Sequence, residues 1–206
     1  MLSQSKIKRH LRKFPTSYFK VIVLSGPTAS GKKWIAERLS DTHRLIVSTT
    51  SRPPRVDEQI DISYQFISKP DYEKLLLRGK FATTFTFEGH YYGYLVSELK
   101  RAYTKEYTPL AIVYYKALES FLEKFPNSQI YFIYPPFTKA GLEALKRRML
   151  STTVWNFEKR WDDTLKQMEE MYVKKPNLLD NYPGSRLIKI RNQKASWDLI
   201  NLIQKN

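Results

Sequence analysis

Cysteine is absent from this chain of 206 residues. That absence excludes disulfides, thiolate metal sites and cysteine nucleophiles, and leaves the redox compartment open with a cytoplasmic location as the default expectation. No uninterrupted apolar stretch approaches the ~20 residues needed to cross a bilayer, and the 42% hydrophobic content suits a soluble globule. Internal repeats and low-complexity tracts are missing. His10, His43 and His90 are scattered, so their spacing forms no metal site. Acidic residues are scarce: none precedes Glu37, and 20 Asp and Glu face 35 Lys and Arg, a net charge of +15. Such an excess points to anionic partners: nucleotides, phosphorylated groups, nucleic acid or an acidic surface.

Part of the excess is local. Lys6, Lys8, Arg9, Arg12, Lys13 and Lys20 crowd the opening stretch, with Ile7, Leu11 and Phe14 spaced along one helical face. Residues 1–19 therefore read as a basic arm. It suits nucleic acid, a membrane surface or organelle targeting, against the plainer reading of a solvated helix whose apolar stripe packs on the domain.

What is present is most informative after the apolar run Val21-Ile22-Val23-Leu24. There the chain reads Gly26-Pro27-Thr28-Ala29-Ser30-Gly31-Lys32-Lys33 and continues into a helix-compatible stretch. A β-branched run, a Gly-x-x-x-x-Gly-Lys loop and a helix form a phosphate-binding loop in its proper context. The glycines let backbone N–H groups curl around an anion, and Lys32 adds positive potential. Gly26, Ser30, Gly31, Lys32 and Lys33 are thus the candidate phosphate-binding residues. The Ser or Thr hydroxyl that usually follows the lysine and reaches magnesium is replaced by Lys33 and Trp34, neither of which can ligate a hard cation.

From Val21 onward, strand and helix alternate. Short apolar runs at Lys20 to Leu24, Leu45 to Ser48, Leu110 to Tyr114, Gln129 to Tyr134 and Arg186 to Ile190 are expected as buried parallel strands. Helices are expected over Lys32 to Ser40, Val96 to Lys105, Lys116 to Phe125, Thr138 to Met149, Phe157 to Val173 and Lys194 to Gln204. This is a doubly wound α/β domain spanning residues 20–206. The stretch from Thr49 to Tyr94 breaks the alternation. It is rich in Ser, Thr, Phe and Tyr around one short helix, Pro70 to Arg78, and reads as an inserted β-rich subdomain. Ser151 to Asn156 reads as a mobile cover between two helices.

A second constellation follows the loop: Val47-Ser48-Thr49-Thr50-Ser51-Arg52-Pro53-Pro54-Arg55, then Glu58, Tyr64 and Phe66, then Gly89-His90-Tyr91-Tyr92-Gly93. Two arginines in a proline-stiffened, hydroxyl-rich turn suit an anion clamp, because guanidinium forks grip phosphate oxygens bidentately.

In this order, "GPTASGK", "STTSRPPR", "YQF", "GHYYG", "YFIYPP" before a helix and the "KR" of the second lid helix resemble the guanylate kinase family, from about Val21 to the C-terminus. The resemblance implies a P-loop NTPase core with a parallel doubly wound sheet, a monophosphate-binding subdomain at 49–95 and a short lid with its tip at 150–157. It implies that Ser48, Arg52, Arg55, Tyr64 and Tyr92 hold an acceptor phosphate. Lys32 would act on the donor phosphates, and Arg148 and Arg160 would neutralise the transferring phosphoryl group.

The same resemblance exposes losses. The family's guanine-reading glutamate aligns with Thr83 and its hydroxyl partner with Tyr94. Exchanging the charge-assisted bonds of a carboxylate for a threonine should lower guanine preference by roughly 2 kcal/mol or more. The family's strand-end aspartates align near Ile112 and Tyr114, the lid is shortened, and one lid arginine is missing. ATP therefore remains an expected ligand of the loop, Mg2+ loses its usual ligands, and no metal site is expected. The implied function is a nucleotide-binding protein whose ATP-dependent transfer to a nucleoside monophosphate is weak or altered in specificity. The alternative is a non-catalytic module that binds a phosphorylated ligand or a protein partner through the retained phosphate pocket.

Overall fold

The structure, a computed structural model, describes residues 19–54, 58, 64–152, 157–174, 186–189 and 193–205. The expected basic arm and Arg55 lie outside the described residues, as do residues 153–156 of the lid tip.

In chain order the elements are β1 (Ile22–Ser25), α1 (Lys32–Arg38), β2 (His43–Leu45), β3 (Thr49–Thr50), β4 (Gln65–Phe66), α2 (Lys69–Leu77), β5 (Phe81–Phe87) and β6 (His90–Leu95). Then come α3 (Val96–Ala102), β7 (Thr108–Ile112), a 3-10 turn (Tyr115–Ala117) running into α4 (Leu118–Leu122), and β8 (Gln129–Tyr134). The chain continues with α5 (Lys139–Thr152), α6 (Phe157–Glu169) ending in a π-helical turn (Glu170–Lys174), β9 (Arg186–Lys189) and α7 (Gln193–Gln204).

Five strands form a parallel sheet in the order β2-β7-β1-β8-β9. Alternation along the strands explains why both faces are covered. Val23, Ala111, Val113, Ile130 and Phe132 face Leu99 of α3, Phe121 of α4 and Met171, whereas Ile22, Leu24, Leu110, Tyr131 and Ile133 face α1 and α7. β1 sits between β7 and β8, so the loop that follows it opens at the carboxyl end of the sheet, where doubly wound folds bind ligands.

The second sheet, β4-β3-β6-β5, is built from the stretch between Thr49 and Leu95, where the sequence breaks the strand-helix alternation. Its outer face packs on α2, where Tyr72 stacks between Phe81 at 4.4 Å and Tyr91 at 5.2 Å. That packing requires Gly93, because a Cβ there would lie 2.5 Å from the Tyr72 hydroxyl.

Several boundaries differ from the sequence reading. β2 covers His43–Leu45 rather than Leu45 to Ser48, because the ladder to β7 pairs His43 with Thr108 and Leu45 with Leu110, and residues 46–48 run on towards the small sheet. The helix expected over Lys116 to Phe125 is a 3-10 turn followed by five α-helical residues. α5 runs through Ser151 to Thr152, so the first two residues of the expected mobile cover are helical. The helix after Phe157 changes to π geometry at Glu170.

Candidate functional site

The loop after β1 is shaped by close backbone approach. Gly26 has φ of 137°, and a Cβ there would lie 2.2 Å from the Ile133 carbonyl of β8, so no other residue allows the turn to rest against the sheet. Ala29 also takes a left-handed conformation, φ 58°, and Gly31 forms the N-cap of α1. Within this turn the Lys32 ammonium donates to the Gly26 carbonyl at 2.9 Å, the Pro27 carbonyl at 2.6 Å and the Ser30 hydroxyl at 3.1 Å. Burial lowers its pKa to about 7, since desolvation disfavours the charged form. From the opposite wall Arg148 of α5 donates to the Ala29 carbonyl at 3.2 Å. Between loop and helix lies a cavity of about 400 Å3 lined by Ser30, Pro135, Pro136, Thr138, Ala144 and Arg148, among others. Ser30 of the loop and Arg148 thus line one space, and the Lys32 ammonium lies against Ser30 within the turn. Arg160 lies in the first turn of α6, half-buried, its carbonyl accepting from Thr164.

Lys33 and Trp34 differ in fate. Lys33 is exposed, while Trp34 packs edge-on against Trp197 of α7 at 5.7 Å with the Arg38 guanidinium 3.6 Å above its ring. Trp34 therefore anchors α1 to the last helix, a packing role that its place in the motif did not reveal.

The acceptor side is built on β3, β6 and the turn between β3 and β4. Arg52 is only 10% exposed and its Nη2 donates to both Glu58 oxygens at 2.8 Å, while Nη1 donates to the Pro53 carbonyl at 2.7 Å. Its Nε is buried without a hydrogen-bond partner. Burial alone would lower the Arg52 pKa, but the Glu58 carboxylate, helped by the Tyr92 hydroxyl, holds it above the usual arginine value. The guanidinium sits 5.6 Å from the Tyr64 ring and 5.5 Å from Phe66, and Tyr64 and Tyr92 lie 6.1 Å apart. Arg52, Tyr64 and Tyr92 are brought together as the sequence predicts.

The hydroxyls of the turn do different work from that expected. Thr50 Oγ1 donates to the Tyr91 carbonyl at 3.0 Å, and Ser51 Oγ accepts from the Tyr91 N–H at 2.9 Å, so both knit the turn to β6. Ser48 is half-buried, and its carbonyl accepts from the Gln65 N–H at 3.0 Å.

Thr83 and Tyr94 stand opposite each other in the β5–β6 ladder and are both buried. The Tyr94 hydroxyl donates to the Ile112 carbonyl at 2.8 Å and its ring meets Phe121 edge-on at 5.6 Å. A side chain of the small sheet is thereby tied to the end of core strand β7. Burial pushes the Tyr94 hydroxyl far above its ordinary pKa. Just beyond, Tyr114 packs against Phe87 at 4.6 Å and Tyr115 at 4.8 Å. Its hydroxyl is pushed up to about 12, chiefly by burial, with the Glu170, Glu88 and Asp163 charges adding to the shift against an opposing hydrogen bond from Tyr115. Tyr115 donates to the Glu170 carboxylate, which also pairs with Lys116 at 2.8 Å. Glu170 was missed by sequence reasoning, and Glu58 stood in the constellation read from sequence without a role assigned to it. Among the described residues, no three His, Cys, Asp or Glu side chains converge as a metal site, and no helix is long and apolar enough to cross a membrane.

A glycine loop between β1 and α1, opening at the carboxyl edge of a doubly wound parallel sheet, defines the P-loop NTPase class. The guanylate kinase family model matches residues 18–181, and the chain belongs to that family. It is 32% identical over 127 residues to a guanylate kinase of Prochlorococcus marinus subsp. pastoris, covering 60% of this chain and 68% of that one. It is 30% identical over 147 residues to that of Clostridioides difficile, covering 68% and 70% respectively. In fold it is similar to the guanylate kinase crystal structure from Anaplasma phagocytophilum, with a TM-score of 0.63 at 19% identity over 92% of this chain and 86% of that one.

Proposed function

We propose that this chain is a nucleotide-binding member of the guanylate kinase family whose phosphoryl transfer is weak or altered in specificity. The observation that carries the reading is the use made of the end of β7. There the Ile112 carbonyl is taken by Tyr94, Tyr114 is held among aromatic rings, and Tyr115 and Lys116 are committed to Glu170. These groups do not fit a magnesium ion, which demands near-octahedral oxygen ligands and is commonly held by carboxylates. Lys33 in place of a hydroxyl points the same way. The loop does fit a donor nucleotide: the turn of Gly26 to Gly31 carries the Lys32 ammonium, Ser30 lines the cavity with Arg148, and ATP is the ligand this arrangement suits.

An acceptor phosphate is already anionic and needs no deprotonating base. In this reading Arg52, Arg55, Tyr64, Tyr92 and Ser48 hold it, and Arg148 and Arg160 face the phosphoryl group in transit. Without metal and with fewer lid cations, the positioning and electrostatic terms that dominate phosphoryl transfer are reduced by several orders of magnitude in rate. The assembled Arg52–Tyr64–Tyr92 cluster supports a second reading, a non-catalytic module for a phosphorylated ligand or protein. A cytoplasmic setting agrees with either.

Calorimetric titration with ATP and GMP, each with and without Mg2+, tests the proposal. ATP binding that is indifferent to Mg2+ is expected; tight binding only with Mg2+ would restore the ordinary enzyme. Binding of neither nucleotide would leave the partner-binding module. A narrower test concerns the base: Thr83→Glu alone should leave the GMP to AMP affinity ratio within about threefold of the parent, because Tyr94 fills the neighbouring space. Adding Tyr94→Ser should raise the ratio by about tenfold.

A further inference from the structure

Phe85 belongs to neither anion cradle, yet it connects the acceptor cluster with the end of β7. Its ring lies on Tyr92 at 5.1 Å and 11° and faces Tyr114 at 6.3 Å and 24°; Phe87 lies 4.6 Å from Tyr114. The ladder explains the wall. Thr83 pairs with Tyr94, Phe85 with Tyr92 and Phe87 with His90, so strand alternation places all six on one face of the small sheet. The opposite face is occupied by α2 through Tyr72.

Along this wall the polar groups and the ring faces are treated differently. Thr83 and Tyr94 are buried, and the Tyr94 hydroxyl is spent on Ile112. Phe85, Phe87 and Tyr114 are each half-buried, so part of each side chain remains exposed. Tyr92 joins this wall to the Arg52 cluster. A base placed here with its phosphate towards Arg52 meets aromatic faces, where a pocket that selects one base would present hydrogen-bonding groups to its edge.

Resting on the nucleotide-binding reading above, we propose that the acceptor is taken by the face of its base. The substrate class is then nucleoside monophosphates at large, purine or pyrimidine, stacked on Phe85 and Tyr114, with no strong preference for guanine. Every base has a π-face, so stacking binds without discriminating, whereas edge recognition discriminates because a mismatched partner leaves polar groups unpaired.

The test titrates the full chain with GMP, AMP, UMP and ribose 5-phosphate, which carries the phosphate and sugar without a base. The three monophosphates should bind within about threefold of one another, and each about tenfold or more tighter than ribose 5-phosphate. Phe85→Leu keeps apolar volume but removes the ring, and should shrink the gap between the monophosphates and ribose 5-phosphate to about threefold or less. Tyr114→Phe keeps the ring face and should preserve the gap. Equal affinity for ribose 5-phosphate and the monophosphates would overturn the stacking proposal while leaving the phosphate cluster standing. A preference for GMP of about tenfold or more over both AMP and UMP would overturn it as well, in favour of edge reading. Failure of all four ligands to bind would overturn the stacking proposal together with acceptor binding at Arg52, while ATP binding at the loop is judged by its own titration.

Discussion

Lys32 in the loop after β1 is answered by two carbonyls and a hydroxyl, whereas Arg52 on the small sheet is answered by a carboxylate. In the proposed function each group receives a phosphate, but their charges have different standing. The ammonium is surrounded by dipoles alone, and burial drives it towards neutrality near pH 7. The guanidinium is held permanently charged by Glu58, and an incoming phosphate must share it or displace that carboxylate. The first cradle gains its charge as the ligand enters. The second is charged and neutralised in advance.

Removing each cation should break the symmetry most visibly. Arg52→Ala removes a guanidinium that donates to both oxygens of the mostly buried Glu58 carboxylate and should cost about 3 kcal/mol in urea unfolding. Lys32→Ala strands no charge and should cost about 1 kcal/mol or less. Equal losses would contradict the distinction.

The next effect is in pH. Above pH 7 the free loop has lost the Lys32 proton, and bound phosphate restores the ammonium, so binding takes up a proton. ATP affinity should therefore fall by up to about tenfold per pH unit above about pH 7. Proton uptake should appear in calorimetry at pH 8 as a dependence on buffer ionisation enthalpy. Stability of the unliganded protein runs the opposite way. The unfolded chain, with lysine at 10.5, binds more protons than the folded one above about pH 7, so this group's contribution to stability rises with pH through that range and levels off beyond the unfolded value. Acceptor binding at Arg52 should show no such slope.

Smaller effects sharpen the picture. Tyr94→Phe removes the hydrogen bond from the small sheet to the end of β7, and should lower stability by about 1 kcal/mol while leaving the loop's ATP affinity unchanged. Ala29→Gly relieves a left-handed alanine at the cost of a more flexible unfolded chain, for a net gain of about 0.5 kcal/mol in thermal unfolding.

Much of the core was legible because buried parallel strands are written as short apolar runs. The run from Gln129 to Tyr134 became β8 with the same bounds, and the loop followed β1 as its spacing predicts. The inserted sheet was visible as a break in the helix-strand alternation. What remained hidden were pairings between distant residues, which leave no local period in a sequence. Glu170 reaches Tyr115 across 55 positions, Tyr94 reaches Ile112 across 18, and Trp34 meets Trp197 of the last helix. The hydroxyls of Thr50 and Ser51 were visible in the sequence as residue types, but their partner was not. They bind the backbone of Tyr91. The stacked wall of Phe85 and Tyr114 likewise joins two segments that only the fold brings together.

In the proposed function the donor loop is kept while an aromatic strand end stands in place of metal and guanine chemistry. The decisive measurement is the rate of γ-phosphoryl transfer from ATP to GMP by the full chain with saturating Mg2+. A rate several orders of magnitude below the ~1–100 s⁻¹ typical of kinases is expected. Turnover within that ordinary range, dependent on Mg2+, would contradict the proposed function.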